Sequence, residues 1–197
     1  MKTKVIGLTG GIGSGKTTIA NYFKSKGVPI YIADDEAKAI LFTPEAVKEV
    51  KETFGDAVMT DNLPDRAKLA SVVFNEPEEL KKLNEIIHPK VIEHFKQWLV
   101  AHSDAKFIIR EAAILFESGR YKDCDAIILV TAPKELRIKR VIERDGTTKE
   151  KVLERMNAQW DDEKKAALSD YIIINTEIEE AKRQADEILK ILNKIEK

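Results

Sequence analysis

The sequence predicts an α/β fold with a parallel central sheet, a helical insert and a helical lid, and three observations carry the prediction. A short β-branched run, Val5 to Thr9, passes through glycines into a helical pattern from Lys16 to Lys26 and then into a second strand, Val28 to Ile32. Strand, helix, strand within 32 residues is a βαβ unit, and its right-handed crossover makes the two strands parallel. From Pro44 to His102 almost only helical signals follow and no strand is expected, so a helical block interrupts the sheet where the next β unit would stand. Buried-strand patterns then return at Lys106 to Arg110, Ala126 to Thr131 and Tyr171 to Ile174.

Each element has a local reason. In the first helix Ile19, Ala20, Tyr22 and Phe23 fall near one face, and Gly27 stops it. A helix starting around Glu36 follows the second strand, with Asp34 and Asp35 at its entrance. In the block, helices are expected at Pro44 to Phe54, at Pro64 to Phe74 and from Glu76 onward, the last interrupted at His88-Pro89. Pro133 to Arg144 and Thr148 to Gln159 read as two helices joined at Asp145-Gly146. The last helix carries Ile178, Ala181, Ala185, Ile188, Leu189, Leu192 and Ile195 at spacings of three and four, which predicts one face packed on the sheet. The expected division is a core of 1–43, 104–134 and 165–197, an insert over about 44–103 and a lid over about 135–164.

Composition bounds the function. With 197 residues and 22.3 kDa there is room for one α/β domain with a modest insertion. Lys+Arg 33 against Asp+Glu 34 leaves a formal charge of −1, so no global field argues for nucleic acid or a membrane surface. One cysteine, Cys124, excludes an intramolecular disulfide and a Cys-based metal cluster. The apolar run after Met1 is too short for a signal segment, and no stretch reaches the roughly 18 apolar residues of a membrane span. A cytoplasmic setting is the expectation.

The strongest motif is Gly10-Gly11-Ile12-Gly13-Ser14-Gly15-Lys16-Thr17, which satisfies G-x-x-x-x-G-K-[ST] between a strand and a helix. Glycines let consecutive N–H groups converge on phosphate oxygens, and the helix beginning near Lys16 brings its positive dipole end to the same point. Lys16 supplies charge for β- and γ-phosphates, and the Thr17 hydroxyl suits Mg²⁺. A dinucleotide fingerprint fails on spacing, because it would need glycine at position 16. No Asn-Lys-x-Asp element is present to read a guanine base.

Further candidates follow from position. Asp34, directly after the second strand, can orient and deprotonate an attacking hydroxyl or reach Mg²⁺ through water; a helix cap is the competing reading, favoured for Asp35. Arg137, Arg140 and Arg144 stand at i, i+3 and i+7, either as lid arginines over the nucleotide or as a solvated face paired with Glu143, Glu150 and Glu154. Glu111 ends a strand at the same sheet edge, where a Mg²⁺-water or substrate role competes with capping. His88, His94, His102, Trp98 and Trp160 read as packing residues.

Taken in order, these stretches resemble the dephospho-CoA kinase family over nearly the whole chain. The resemblance rests on Gly7 to Thr17, Ala33-Asp34, Leu83 to Pro89, Ile114-Leu115-Phe116-Glu117, Arg137 to Asp145, Arg155 to Gln159 and Asp170 to Asn175. It implies a three-layer P-loop NTPase fold with a helical CoA-binding insert and a lid. It also implies transfer of the γ-phosphoryl of ATP, with Mg²⁺, to the ribose 3′-hydroxyl of dephospho-CoA, the last step to coenzyme A. By position, Asp34 matches the base, and Gly11, Ile12, Gly13, Ser14, Gly15, Lys16, Thr17 and Thr18 match the phosphate loop, Thr17 taking the metal. Arg140 matches the lid arginine near the nucleotide, Asn175 a position after the last strand near the base of ATP, and His88 a position on the acceptor side; Arg137 and Arg144 are placed at the nucleotide and Glu111 with the substrate from their place in the chain alone. Family members often carry an aspartate where this chain has Ile32, so its role is absent or moves to Asp35 or Glu111, and many have proline where Ala113 stands. The partners implied are ATP and dephospho-CoA, without nucleic acid or membrane, in a monomer or weak homo-oligomer.

Overall fold

A computed structural model of the chain describes residues 2–73 and 76–194. It divides into two compact units, Met1–Ile32 with His102–Lys197, and Ala33–Ala101.

The first unit is built on five parallel strands: β1 (Lys4–Thr9), β2 (Ile30–Ile32), β5 (Phe107–Glu111), β6 (Ala126–Thr131) and β7 (Tyr171–Ile174), ordered β2-β5-β1-β6-β7. Placing β1 at the centre gives it hydrogen-bonded neighbours on both sides and burial on both faces. Its apolar run accordingly lacks the alternation of a half-exposed strand. Helices α1 (Lys16–Ser25) and α9 (Ile178–Lys194) cover one face: Ile19, Ala20 and Phe23 meet Ile6, Leu8, Ile109, Ile128 and Val130, and α9 adds Ala181, Ala185, Ile188, Leu189 and Leu192. Each fully buried Leu or Ile there contributes roughly 1.5–3 kcal/mol. On the opposite face Leu115, Phe116 and Ile127 pack with Tyr121, Cys124 and Trp160. The expected fold class is therefore found, with α6 (Lys134–Asp145), α7 (Lys149–Asn157) and α8 (Asp162–Ala166) between β6 and β7.

The second unit holds α2 (Ala33–Ile40), α3 (Pro44–Phe54), α4 (Arg66–Val73) and α5 (Pro77–Ala101), around a core that includes Ala46, Val50, Val58, Leu69, Ile86 and Ile87. Thr43 caps α3 by accepting from the Ala46 N–H, and Pro44 fills its first turn.

Four expectations change. The block is not free of strands, because β3 (Met59–Thr60) and β4 (Leu63–Pro64) form a hairpin. Asp61 and Asn62 take positive φ at its turn, the conformation a two-residue hairpin loop demands. α5 is not interrupted at His88-Pro89 but runs through it. Pro89 withdraws the N–H that the Glu85 carbonyl would take, yet Ile86, Ile87 and Phe95 are buried on both sides, and Lys90 Nζ bonds the Ile86 carbonyl and Glu49. Tertiary packing overrides the local penalty. α2 begins at Ala33 instead of near Glu36, so Asp35 stands within its first turn and pairs with Lys38 at 2.6 Å rather than capping it. Finally α8 was not expected. Of the expected helices, Phe74 and Ile195 lie outside the described residues.

Candidate active site

The loop between β1 and α1 passes from a buried strand to a helix in six residues, and its geometry explains its composition. Gly13 and Gly15 both have positive φ, 79° and 87°. A Cβ on Gly13 would also stand 2.5 Å from the Arg137 carbonyl oxygen, and one on Gly15 would overlap the Asn175 amide. Neither position tolerates a side chain.

The loop's polar groups divide into those used internally and those left over. The Ser14 N–H donates to the Gly11 carbonyl at 3.0 Å, and the Ile12 N–H donates to Gln159 Oε1 at 3.0 Å. The Ser14 carbonyl would take the Thr18 N–H in a regular helix. Here it accepts from Asn175 Nδ2 at 2.7 Å. Among the described residues the N–H groups of Gly13, Gly15, Thr17 and Thr18 have no backbone partner, and they gather at the N-terminus of α1. Such an array, at the positive end of a ten-residue helix, is an anion cradle. Ser14 Oγ and Asn175 Oδ1 are buried beside it without a partner.

Lys16 is nearly buried and forms an ion pair with Glu111, which is itself 2% exposed at the end of β5. The two expected site residues thus meet directly. Thr17 and Thr18 are exposed on the first turn of α1. For Mg²⁺ the donors fit: it prefers oxygen ligands, keeps several waters and needs one or two protein oxygens, which the Thr17 hydroxyl and Glu111 carboxylate can provide.

The three lid arginines separate. Arg137 is buried beneath the loop, donating through Nε to the Ile12 carbonyl at 2.9 Å and through Nη1 to Asp162 at 2.8 Å; the same Asp162 carboxylate accepts from the Thr131 hydroxyl. Arg140 donates to the carbonyls of Asn175 and Thr176, at 2.9 and 3.2 Å, which draws the segment after β7 toward α6. Arg144 is exposed and grips Asp145, which Arg155 also binds at 3.0 Å. Those two guanidinium groups hold the Asp145 carboxyl well below the usual carboxylate range.

In the helical unit, Asp34 is exposed in the first turn of α2. His88 lines a cavity of about 490 Å³ along α5 together with Pro77, Leu80, Asn84 and Glu85.

Sequence reasoning missed Gln159 as a loop ligand, along with Asp162 and the pair Glu117–Lys165. Glu117 accepts from the Trp160 N–H at 2.8 Å and forms an ion pair with Lys165 Nζ at 3.0 Å, Lys165 being wholly buried. The signal for Glu117 was present in Ile114 to Glu117; for Lys165 none was, since a lysine in a charged run reads as surface. Cys124 is packed on the face away from α1, where burial pushes its thiol up to about 11, so it stays protonated and inert at neutral pH.

A parallel sheet with a phosphate loop at the C-terminal end of its central strand, backed by a lysine and flanked by arginines, defines a P-loop nucleotide-dependent kinase. Within that class the dephospho-CoA kinase family matches residues 4–180, and the chain belongs to it. It is 40% identical over 172 residues to the dephospho-CoA kinase of Bacteroides fragilis, covering 86% of this chain and 83% of that one. Among solved structures, a Thermus thermophilus protein superposes with a TM-score of 0.89 at 33% identity, covering 97% of this chain and 98% of its own. A dephospho-CoA kinase from Campylobacter jejuni gives 0.69 at 25% identity, covering 96% and 97%. Among the described residues no helix is long and apolar enough to cross a membrane.

Proposed function

We propose that this chain transfers the γ-phosphoryl group of ATP to the ribose 3′-hydroxyl of dephospho-CoA, yielding coenzyme A and ADP. The observation that carries the reading is the free N–H array at the start of α1, with Lys16 beside it, on a chain that belongs to the dephospho-CoA kinase family.

The N–H groups of Gly13, Gly15, Thr17 and Thr18 bind the β- and γ-phosphates, and Lys16 adds a point charge to them. Glu111 supports that role by holding the ammonium group in place. Mg²⁺, when bound near Thr17, supplies further charge to the same phosphates. Arg140 and Arg144, on one helix, serve the nucleotide side, and Arg140 and Asn175 together shape the rim of the nucleotide site. Asp34 orients the acceptor hydroxyl and takes its proton as the phosphoryl group leaves ADP. The helical unit Ala33–Ala101 selects the acceptor, with the His88 cavity supporting that assignment. Positioning and electrostatics do most of the work in phosphoryl transfer, so fixed charges on rigid elements suffice. ATP and a CoA precursor are metabolites of the cell interior, and the reading carries a cytoplasmic setting with it.

A panel of acceptors tests it. With ATP and Mg²⁺, dephospho-CoA is expected to release ADP at least 10²-fold faster than nucleoside monophosphates, sugars or water, a margin that positioned acceptor binding supplies. Faster turnover with another acceptor would replace the substrate, and acceptor-independent hydrolysis would replace the enzyme with a nucleotide switch.

A further inference from the structure

The geometry points to Gln159 as a positioning residue for the nucleotide phosphates, acting through the Ile12 amide at the tip of the phosphate loop. The inference rests on the nucleotide reading above and extends it to a residue that makes no claim on substrate itself.

Both polar backbone groups of Ile12 are held by side chains of the segment between β6 and β7. Gln159 Oε1 accepts the Ile12 N–H at 3.0 Å across 147 residues of sequence, and Arg137 Nε donates to the Ile12 carbonyl at 2.9 Å. The clamp closes on itself, because Arg137 also binds Asp162, three residues beyond Gln159, at 2.8 Å. Gly11 leaves just enough room for it: a Cβ there would overlap the Arg137 guanidinium.

The acceptor oxygen is preorganised. Gln159's own N–H donates to the Met156 carbonyl at 3.0 Å. The next residue, Trp160, is fixed by its N–H on Glu117 and by its ring, which stacks on Phe116 at 6.0 Å with Lys164 Nζ 3.4 Å above it. Immediately after Trp160, Asp161 caps α8 by accepting from the Lys164 N–H at 2.7 Å. The joint between α7 and α8 is therefore rigid where it meets the loop, and a side chain on it can set the loop's shape.

The consequence concerns which donors face the phosphates. With its N–H spent on Gln159, Ile12 is removed from the donor set, and the peptide between Gly11 and Ile12 is fixed in one orientation. The donors that remain, on Gly13, Gly15, Thr17 and Thr18, gather at the N-terminus of α1. Freeing the Ile12 N–H would leave that peptide held only by the Ser14 N–H on the Gly11 carbonyl, and the later donors would lose part of their fixed direction.

The test compares wild type with Gln159→Met, which keeps the length and removes the oxygen acceptor, and with Gln159→Asn, which withdraws the acceptor by one methylene. The readouts are the dissociation constant for ATP by equilibrium titration and the hydrogen-exchange rate of the Ile12 amide. Gln159→Met should bind ATP about tenfold more weakly, the loss of one well-placed hydrogen bond, with kcat at saturating ATP and the KM for dephospho-CoA both within about twofold. Its Ile12 amide should exchange at least about tenfold faster. Equal ATP affinity in variant and wild type would overturn the inference, and so would tighter binding, which would mean that Gln159 competes with the phosphates. If Gln159→Met fails to fold, Gln159→Asn decides by the same two readouts. Because ATP binding is measured without acceptor, a wrong acceptor leaves this result standing, whereas a wild type that does not bind ATP overturns the nucleotide reading first.

Discussion

Two side chains divide the chemistry at the scale of single residues, and they fail in different ways. Lys16 belongs to the phosphate loop, where its charge is fixed by Glu111, so Lys16→Ala should weaken ATP binding directly and leave Glu111 as a buried carboxylate without its cation. Asp34 is exposed and belongs to the other unit, so Asp34→Asn should leave ATP affinity within about twofold while turnover falls about 10²-fold or more, the usual worth of a general base. Equilibrium ATP titration beside steady-state turnover separates the two. Near-normal turnover in Asp34→Asn would remove it as the base. Arg137 shows why residue type and motif alone are not enough. Read as a lid arginine over the nucleotide, it lies instead under the loop with its guanidinium committed to Ile12 and Asp162.

Among the elements, the joint between α7 and α8 holds more than its length suggests. Lys165 is wholly buried against Glu117, and Glu117 also caps the Trp160 N–H. Removing the carboxylate strands a buried ammonium and an unsatisfied N–H, so Glu117→Ala should cost about 3–5 kcal/mol. Lys165→Met leaves Glu117 its Trp160 bond and partial solvent access, and should cost about 1 kcal/mol. Denaturation midpoints measure the difference, and equal losses would mean that the pair is not what holds the joint. The edge of the sheet shows a related economy. Among the described residues no strand lies beyond β7, and the Gln184 side chain bonds both the N–H and the carbonyl of Ile174, which blunts an edge that would otherwise invite pairing.

For the molecule as a whole, the parts that were legible in sequence are those whose physics is local. Val5 to Thr17 announces strand, loop and helix because glycine, lysine and threonine must stand at fixed spacing around a phosphate, and β6 and β7 show themselves by unbroken apolar runs. The site's supports were not legible. Gln159 meets Ile12 only after the chain has folded, and neither periodicity nor spacing marks a glutamine at a helix joint. Pro89 misled for the converse reason, since a strong local signal yielded to packing along α5. Likewise the formal charge of −1 averages over a loop where Lys16, Arg137 and Arg140 gather, with two of those three cations already engaged by Glu111 and Asp162. What joins these scales is one claim, that the chain moves a phosphoryl group from ATP to dephospho-CoA. The most direct measurement incubates the protein with dephospho-CoA, ATP and Mg²⁺ and follows the product by mass and by ³¹P NMR. The account predicts an acceptor heavier by a single phosphoryl group, carried on the ribose 3′-oxygen, with ADP formed in equal amount. ADP released at the same rate with and without dephospho-CoA, or a phosphoryl group on any other oxygen, would contradict it.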